Sequence, residues 1–173
     1  MEALYWANRY PDEAAAIVGL DPALPEIYEV MPPPQLMLSV ITFAARTGVI
    51  RSGASVCHEF AVVSEGHLTA EETAVFCSLF YRRTLTPNML AEIKATGNPQ
   101  LVAATGIPDV PLFFFVSNAS DVALDNWPDI LIAYVAAAGG ESLALDVPHY
   151  RHNYAPDVIA AESRAFIERV IGE

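Results

Sequence analysis

A chain of 173 residues with 21 acids against 9 lysines and arginines carries a formal net charge of -12, which argues against nucleic acid and anionic lipid as partners. Its apolar content of 53% is far too high for a disordered chain and matches one domain with a sizeable core. No signal peptide is visible and no apolar run reaches the roughly 18 residues that span a bilayer, so the cytoplasm is the expected compartment unless polypeptide upstream supplies a leader or anchor.

In chain order, residues 1–9 read as a helix with Ala3, Leu4, Trp6, Ala7 and Tyr10 in an apolar stripe and no N-cap side chain before it. Tyr10-Pro11-Asp12 ends it. "AAAIVGLD" reads as a short buried strand that runs into the Pro-rich exit "PALPEIYEVMPPP". From about 34 to 105 the pattern is helical. "PQLMLSVITFAARTG" places Leu36, Val40, Ile41 and Phe43 at helical spacing and stops at Gly48. "LTAEETAVFCSLFYRR" opens with a capping box, Thr69 followed by Glu72. "LTPNMLAEIKATG" has Thr86 as cap and Pro87 in the first turn. "NPQLVAATG" is a short helix. Cys57 and Cys77 lack CxxC spacing and read as buried thiols rather than a disulfide framework.

After Gly106 the period changes. "VPLFFFVS" is a continuous apolar run, the signature of a strand buried on both faces. "DNWPDILIAYVAAAGG" is a helix with a Gly-Gly stop, "SLALDV" a second buried strand, and "APDVIAAESRAFIERVI" a closing helix with Ile159, Phe166 and Val170 on one face. Strands alternating with helices predict an α/β fold with a parallel sheet. Ligands and reacting groups of such sheets lie past the carboxyl ends of the strands. His149, in "LDVPHYRHNY", falls there, and its imidazole is suited to act as a general base near neutral pH.

The chain resembles the C-terminal two thirds of an α/β-hydrolase. "MEALYWANRYPDEAAAIVGLDPALP" is similar to the segment that follows the nucleophile elbow of that family, and "PHYRHNYAPDVIAAESRAFI" to its His loop and last helix. The resemblance implies a hydrolase core at 1–25 and 109–173, with 26–108 as an inserted helical lid. It implies hydrolysis of a small-molecule ester or amide by a Ser-His-Asp mechanism without a cofactor or metal, with His149 as base and Asp21 or Asp121 as the acid. Asp21 ends "AIVGLD"; Asp121 follows the next strand but stands one residue late relative to the family's Gly-x-x-Asp, with Ser117 in the glycine position and Ser120 in the acid position. That departure favours Asp21. The Gly-x-Ser-x-Gly elbow itself is absent from these residues, so the resemblance implies a truncated hydrolase whose serine lies upstream of Met1. "GASVC" at 53–57 lacks the second glycine and is no substitute.

Two further expectations follow. Loss of the strand that leads into the elbow leaves the edge of "AIVGLD" unpaired, open to self-association or to pairing with the upstream half. The alternative to an enzyme is a non-catalytic fragment or ligand-binding relic of the same fold. His152, three residues after His149, forms no metal site by spacing; His58 and His67 read as surface or core residues, and Asp125 as a candidate cap for the following helix.

Overall fold

The computed structural model describes residues 1–30, 35–52, 56–95 and 98–172. The proline run at 32–34 and residues 53–55 of the "GASVC" stretch lie outside them.

The chain enters through α1 (Glu2–Arg9), whose N-cap Met1 offers no side-chain bond, and a single 3-10 turn (Pro11–Glu13). Strand β1 (Ile17–Leu20) follows, and α2 (Pro25–Val30) occupies the stretch expected to be a Pro-rich exit. Pro25 can open a helix because its missing N–H is one that the first turn leaves unpaired anyway. Next come α3 (Gln35–Thr47), the short α4 (Val49–Ser52) and α5 (Ala61–Ser64), α6 (Ala70–Arg83) and α7 (Pro87–Lys94). The chain then runs through α8 (Asn98–Thr105), β2 (Leu112–Val116), α9 (Trp127–Ala137), β3 (Glu141–Ala144) and α10 (Pro156–Ile171).

The three strands form one parallel sheet in the order β1-β2-β3. Residue pairs Ile17–Leu112 and Leu20–Phe115 fix one register, Phe113–Glu141 and Val116–Ala144 the other. β2 is buried at every position because it alone has a strand on each side and apolar layers on both faces. Its alternation sorts the core. Leu112, Phe114 and Val116 face a cluster with Leu4, Leu24, Ile27, Val102, Leu131 and Val135. Phe113 and Phe115 face the other way, onto Ile159 and Phe166 of α10. Burying each such side chain contributes about 1.5–3 kcal/mol.

The expected burial of β1 and β3 is corrected. Leu20 of β1 is 44% exposed, and β3 is exposed except at the half-buried Leu143. Both are edge strands with one hydrogen-bonded neighbour among the described residues. Gly19 allows β1 to approach β2 closely, since a Cβ there would lie 2.7 Å from the Phe114 ring. α9 ends as its Gly-Gly pair predicts. Gly139 takes a φ of +67°, its N–H bonds to Ala136 O at 3.0 Å, and Gly140 N–H bonds to Val135 O at 2.9 Å, a Schellman closure.

The chain divides into two compact units, Met1–Met31 with Gly97–Glu173, and Pro32–Thr96. The first holds the sheet, α1, α2 and α8 to α10. The second is helical among its described residues. There Thr69 and Glu72 form the predicted capping box, with Thr69 Oγ1 accepting from Glu72 N at 3.2 Å and Glu72 Oε2 accepting from Thr69 N at 2.8 Å. Thr86 caps α7 by accepting from Met89 N at 3.4 Å. The cysteines are not thiols. Cys57 and Cys77 form a disulfide, because a 3-10 turn (Val56–Glu59) packed on α6 brings their Cα atoms to 5.3 Å, a closeness that their separation of 20 residues in sequence does not announce.

Candidate active site

β1 ends at Leu20, and the next residue, Asp21, turns out of the strand with a φ of +55°. Asp tolerates this left-handed conformation better than most side chains, yet it is uncommon and marks positions held by their surroundings. Asp21 N–H still bonds back to Phe115 O at 3.0 Å. The residue therefore stands at the carboxyl end of the sheet with its side chain sunk in the protein, 1% exposed.

Four groups surround that carboxylate. Ser117, just past the end of β2, donates its backbone N–H to Oδ1 at 3.1 Å and its hydroxyl to Oδ2 at 2.5 Å. The Ser117 hydroxyl oxygen in turn accepts from Ala119 N at 3.1 Å, which fixes its direction. His149, in the loop after β3, places Nδ1 2.7 Å from Oδ2. Arg151, in a 3-10 turn (Arg151–Asn153) that follows that loop, places Nη2 2.7 Å from Oδ1. Arg151 is wholly buried.

Electrostatics decide the protonation pattern. Burial pushes the Asp21 carboxyl upward, but the hydrogen bonds from His149 and Ser117 and the positive charge of Arg151 overcome it and hold the group well below the ordinary carboxylate range. An ionised carboxylate only accepts, so the shared proton sits on His149 Nδ1. In the neutral ring Nε2 is then left with a lone pair. The His149 side chain is 28% exposed, and Trp127 and Tyr150 meet its ring edge-on at 5.2 and 5.1 Å. Such an imidazole can take a proton at Nε2 while Asp21 stabilises the cation formed.

The two candidate acids thus have different places. Asp21 meets the His149 ring. Asp121 accepts from the His149 backbone N–H at 2.7 Å and contacts the loop rather than the imidazole. Ser120 N–H bonds to Asn118 Oδ1 at 3.0 Å, so the loop after β2 is closed on itself. Asp125 is not the cap of α9: Asn126 is the N-cap residue and forms no side-chain cap bond. His152 lies beside Tyr150, with ring centroids 6.1 Å apart, and is not one of the groups bonded to Asp21.

Sequence reasoning missed Arg151 and the bonding role of Ser117. Arginine is normally an exposed residue, and nothing in "PHYRHNY" announces burial. Ser117 was visible only as a residue in a glycine's place. Elsewhere, His58 Nε2 lies 3.9 Å from Cys77 Sγ, and Cys57, His58 and Cys77 are the one cluster among the described residues with a metal-ligand set. It does not fit a metal in this state, because both sulfurs are spent on their mutual bond and metal ligation needs thiolates. No helix among the described residues is long and apolar enough to cross a membrane.

No family model, curated protein or solved structure matches this chain.

Proposed function

We propose that this chain carries the acid and base of a serine hydrolase of the α/β-hydrolase type, acting on a small-molecule ester or amide. One observation carries the reading. A buried, ionised Asp21 at the end of one parallel strand accepts from Nδ1 of a partly exposed His149 that follows another. This is the acid–base half of a triad, set where α/β sheets place their chemistry.

In this reading His149 removes the proton of a serine hydroxyl as it attacks the carbonyl carbon. It returns that proton to the leaving alcohol or amine, and Asp21 holds the ring tautomer throughout. Asp121 holds the His149 loop by its backbone. The serine would be supplied by an elbow outside these 173 residues, since no Gly-x-Ser-x-Gly occurs within them. The strand leading into that elbow would pair along the outer edge of β1. The Cys57–Cys77 bond favours an oxidising compartment over the cytoplasm.

The test combines this chain with the polypeptide encoded upstream of it, using a fluorophosphonate probe and p-nitrophenyl esters. The chain alone should remain unlabelled, because removing a triad nucleophile costs on the order of a millionfold in rate. The combined protein should label at one serine and turn over. His149→Ala should abolish turnover and His152→Ala should spare most of it. Asp21→Asn should reduce the rate far more than Asp121→Asn. Stoichiometric labelling of a serine within this chain would overturn the assignment of the nucleophile. An upstream segment with no elbow, or a combined protein that binds esters without cleaving them, would favour the ligand-binding relic.

A further inference from the structure

Arg151 is a costly residue to bury. A guanidinium without exposure to water must be matched by charge, or the folded state is destabilised by several kcal/mol. Its match is Asp21, at 2.7 Å from Nη2. The contact is an ion pair rather than an aligned hydrogen bond, and Nε and Nη1 have no hydrogen-bond partner among the described residues. Here the charge is aimed at one oxygen of one carboxylate.

The division of labour around that carboxylate is sharp. Oδ1 takes Arg151 and the Ser117 N–H; Oδ2 takes the Ser117 hydroxyl and His149 Nδ1. With Oδ1 held by a cation, the carboxyl plane cannot turn without breaking the ion pair. Oδ2 is thereby presented to the imidazole in one orientation. Asp21 and Asp121 both act on Arg151. The one cation thus offsets part of the negative charge of the two acids that bond His149, Asp21 at the ring and Asp121 at the backbone.

We propose that Arg151 is a positioning residue of this site: its charge locks the Asp21 carboxylate so that Oδ2 alone accepts the hydrogen bond from His149 Nδ1–H, and so selects the imidazole tautomer with Nε2 free. The proposal rests on the reading of Asp21 and His149 as the acid and base of a hydrolase, and it adds a fourth member that the sequence pattern does not show. Arg151 acts through Asp21 and touches no substrate.

The experiment reads the tautomer of His149 directly, in this chain, by nitrogen-15 NMR of histidine-labelled protein. Asp21→Asn assigns the far-downfield Nδ1 proton resonance. The unsubstituted chain should show His149 as the Nδ1-protonated tautomer with that proton protected from exchange. Arg151→Met removes the charge and keeps an apolar stem of similar reach. It should lose the protected proton and mix the two tautomers while the far-ultraviolet circular dichroism stays unchanged. Arg151→Lys restores a cation beside Oδ1 and should restore the single tautomer. If Arg151→Met does not fold, Arg151→Gln is read in its place. A folded neutral variant that keeps the protected proton and the single tautomer overturns the proposal, because Arg151 would then only fill space. Loss of the tautomer in a folded Arg151→Lys overturns it as well, because charge would not be the operative property. Neither outcome bears on ester cleavage, which is measured separately, so failure of Arg151 as a positioning residue and failure of the hydrolase reading are distinguishable.

Discussion

The two compact units are held together by different means. In Met1–Met31 with Gly97–Glu173, a sheet with apolar residues on both faces orders everything else, and the core contains four phenylalanine and tryptophan side chains from β2 and α9. In Pro32–Thr96, only Cys57 and Leu90 are buried apolar side chains among the described residues. Its helices leave large apolar groups in water: Leu36 is 82% exposed, and Met37, Val40, Phe43 and Leu79 are also exposed. What order it has comes from local devices. These are the Thr69–Glu72 capping box, the Thr86 cap, a Phe60–Phe76–Phe80 aromatic group and the Cys57–Cys77 bond. An amphipathic helix forms readily in the sequence pattern, but most helical stability comes from burying the apolar face. The contrast teaches that helical periodicity alone does not make a core, whereas one strand with neighbours on every side nearly does.

That contrast can be broken from either end. The largest expected effect is in the sheet unit. Phe114→Ala empties a fully buried position under Tyr134 and beside Gly19, and should cost about 3–5 kcal/mol. Hydrogen exchange followed by mass spectrometry should show lost protection in β1, β2 and α9, with α6 unchanged. Equal loss in α6 would mean that the two units unfold as one.

Reduction of the disulfide, or the paired Cys57→Ser and Cys77→Ser substitutions, should act on the other unit. A closed loop of this size contributes about 3 kcal/mol. Exchange should accelerate in α6 and in the 3-10 turn at 56–59 while β2 keeps its protection. Faster exchange in β2 would remove the distinction between a unit with a core and one held by a covalent tie.

Acid should separate them through one group. The Asp21 carboxyl is held below its ordinary range in the folded protein. A depressed pKa gives stability that is full above the unfolded-state value, about 3.9 for Asp, and is lost as pH falls through the folded-state value. Asp21 therefore makes the sheet unit less stable below about pH 4, by at most about 1.4 kcal/mol per pH unit. Asp21→Asn should flatten that part of the acid limb in melting experiments. An unchanged slope would mean that other carboxylates dominate it.

The smallest effect belongs to the cap. Thr69→Ala removes the acceptor for Glu72 N–H and should cost about 1 kcal/mol, confined to the first turn of α6. Its measure is amide exchange of residues 70–73, with α10 as the reference helix. A loss spread across both units would show that the capping box is more than local.

The placement of several candidate site residues is legible before the fold. His149 could be placed at a strand end because "SLALDV" reads as a strand and "PHYRHNY" as the loop after it. Asp21 and Asp121 could be shortlisted by the same logic, and family resemblance favoured Asp21. The residues could not say which carboxylate meets the imidazole. Asp21 and His149 are 128 positions apart, and Asp121 is only 28 from His149, yet the nearer acid takes the backbone and the farther one the ring. Parallel strands bring their carboxyl ends together whatever the length of chain between them.

The sequence by itself determined the elements whose cause is local. α6 and α7 begin at their Thr caps, α9 stops at its Gly-Gly pair, and β2 announces itself as five consecutive apolar residues, because caps, left-handed glycines and apolar runs act within a few residues. Only the tertiary structure decided what depends on partners distant in the chain. It made edges of β1 and β3, turned two read thiols into the Cys57–Cys77 bond, put α2 where an irregular exit was expected, and buried Arg151 against Asp21. Burial and pairing are properties of a neighbourhood, and the neighbourhood of Arg151 is built from three segments, at Asp21, Ser117 and His149, that no local pattern links.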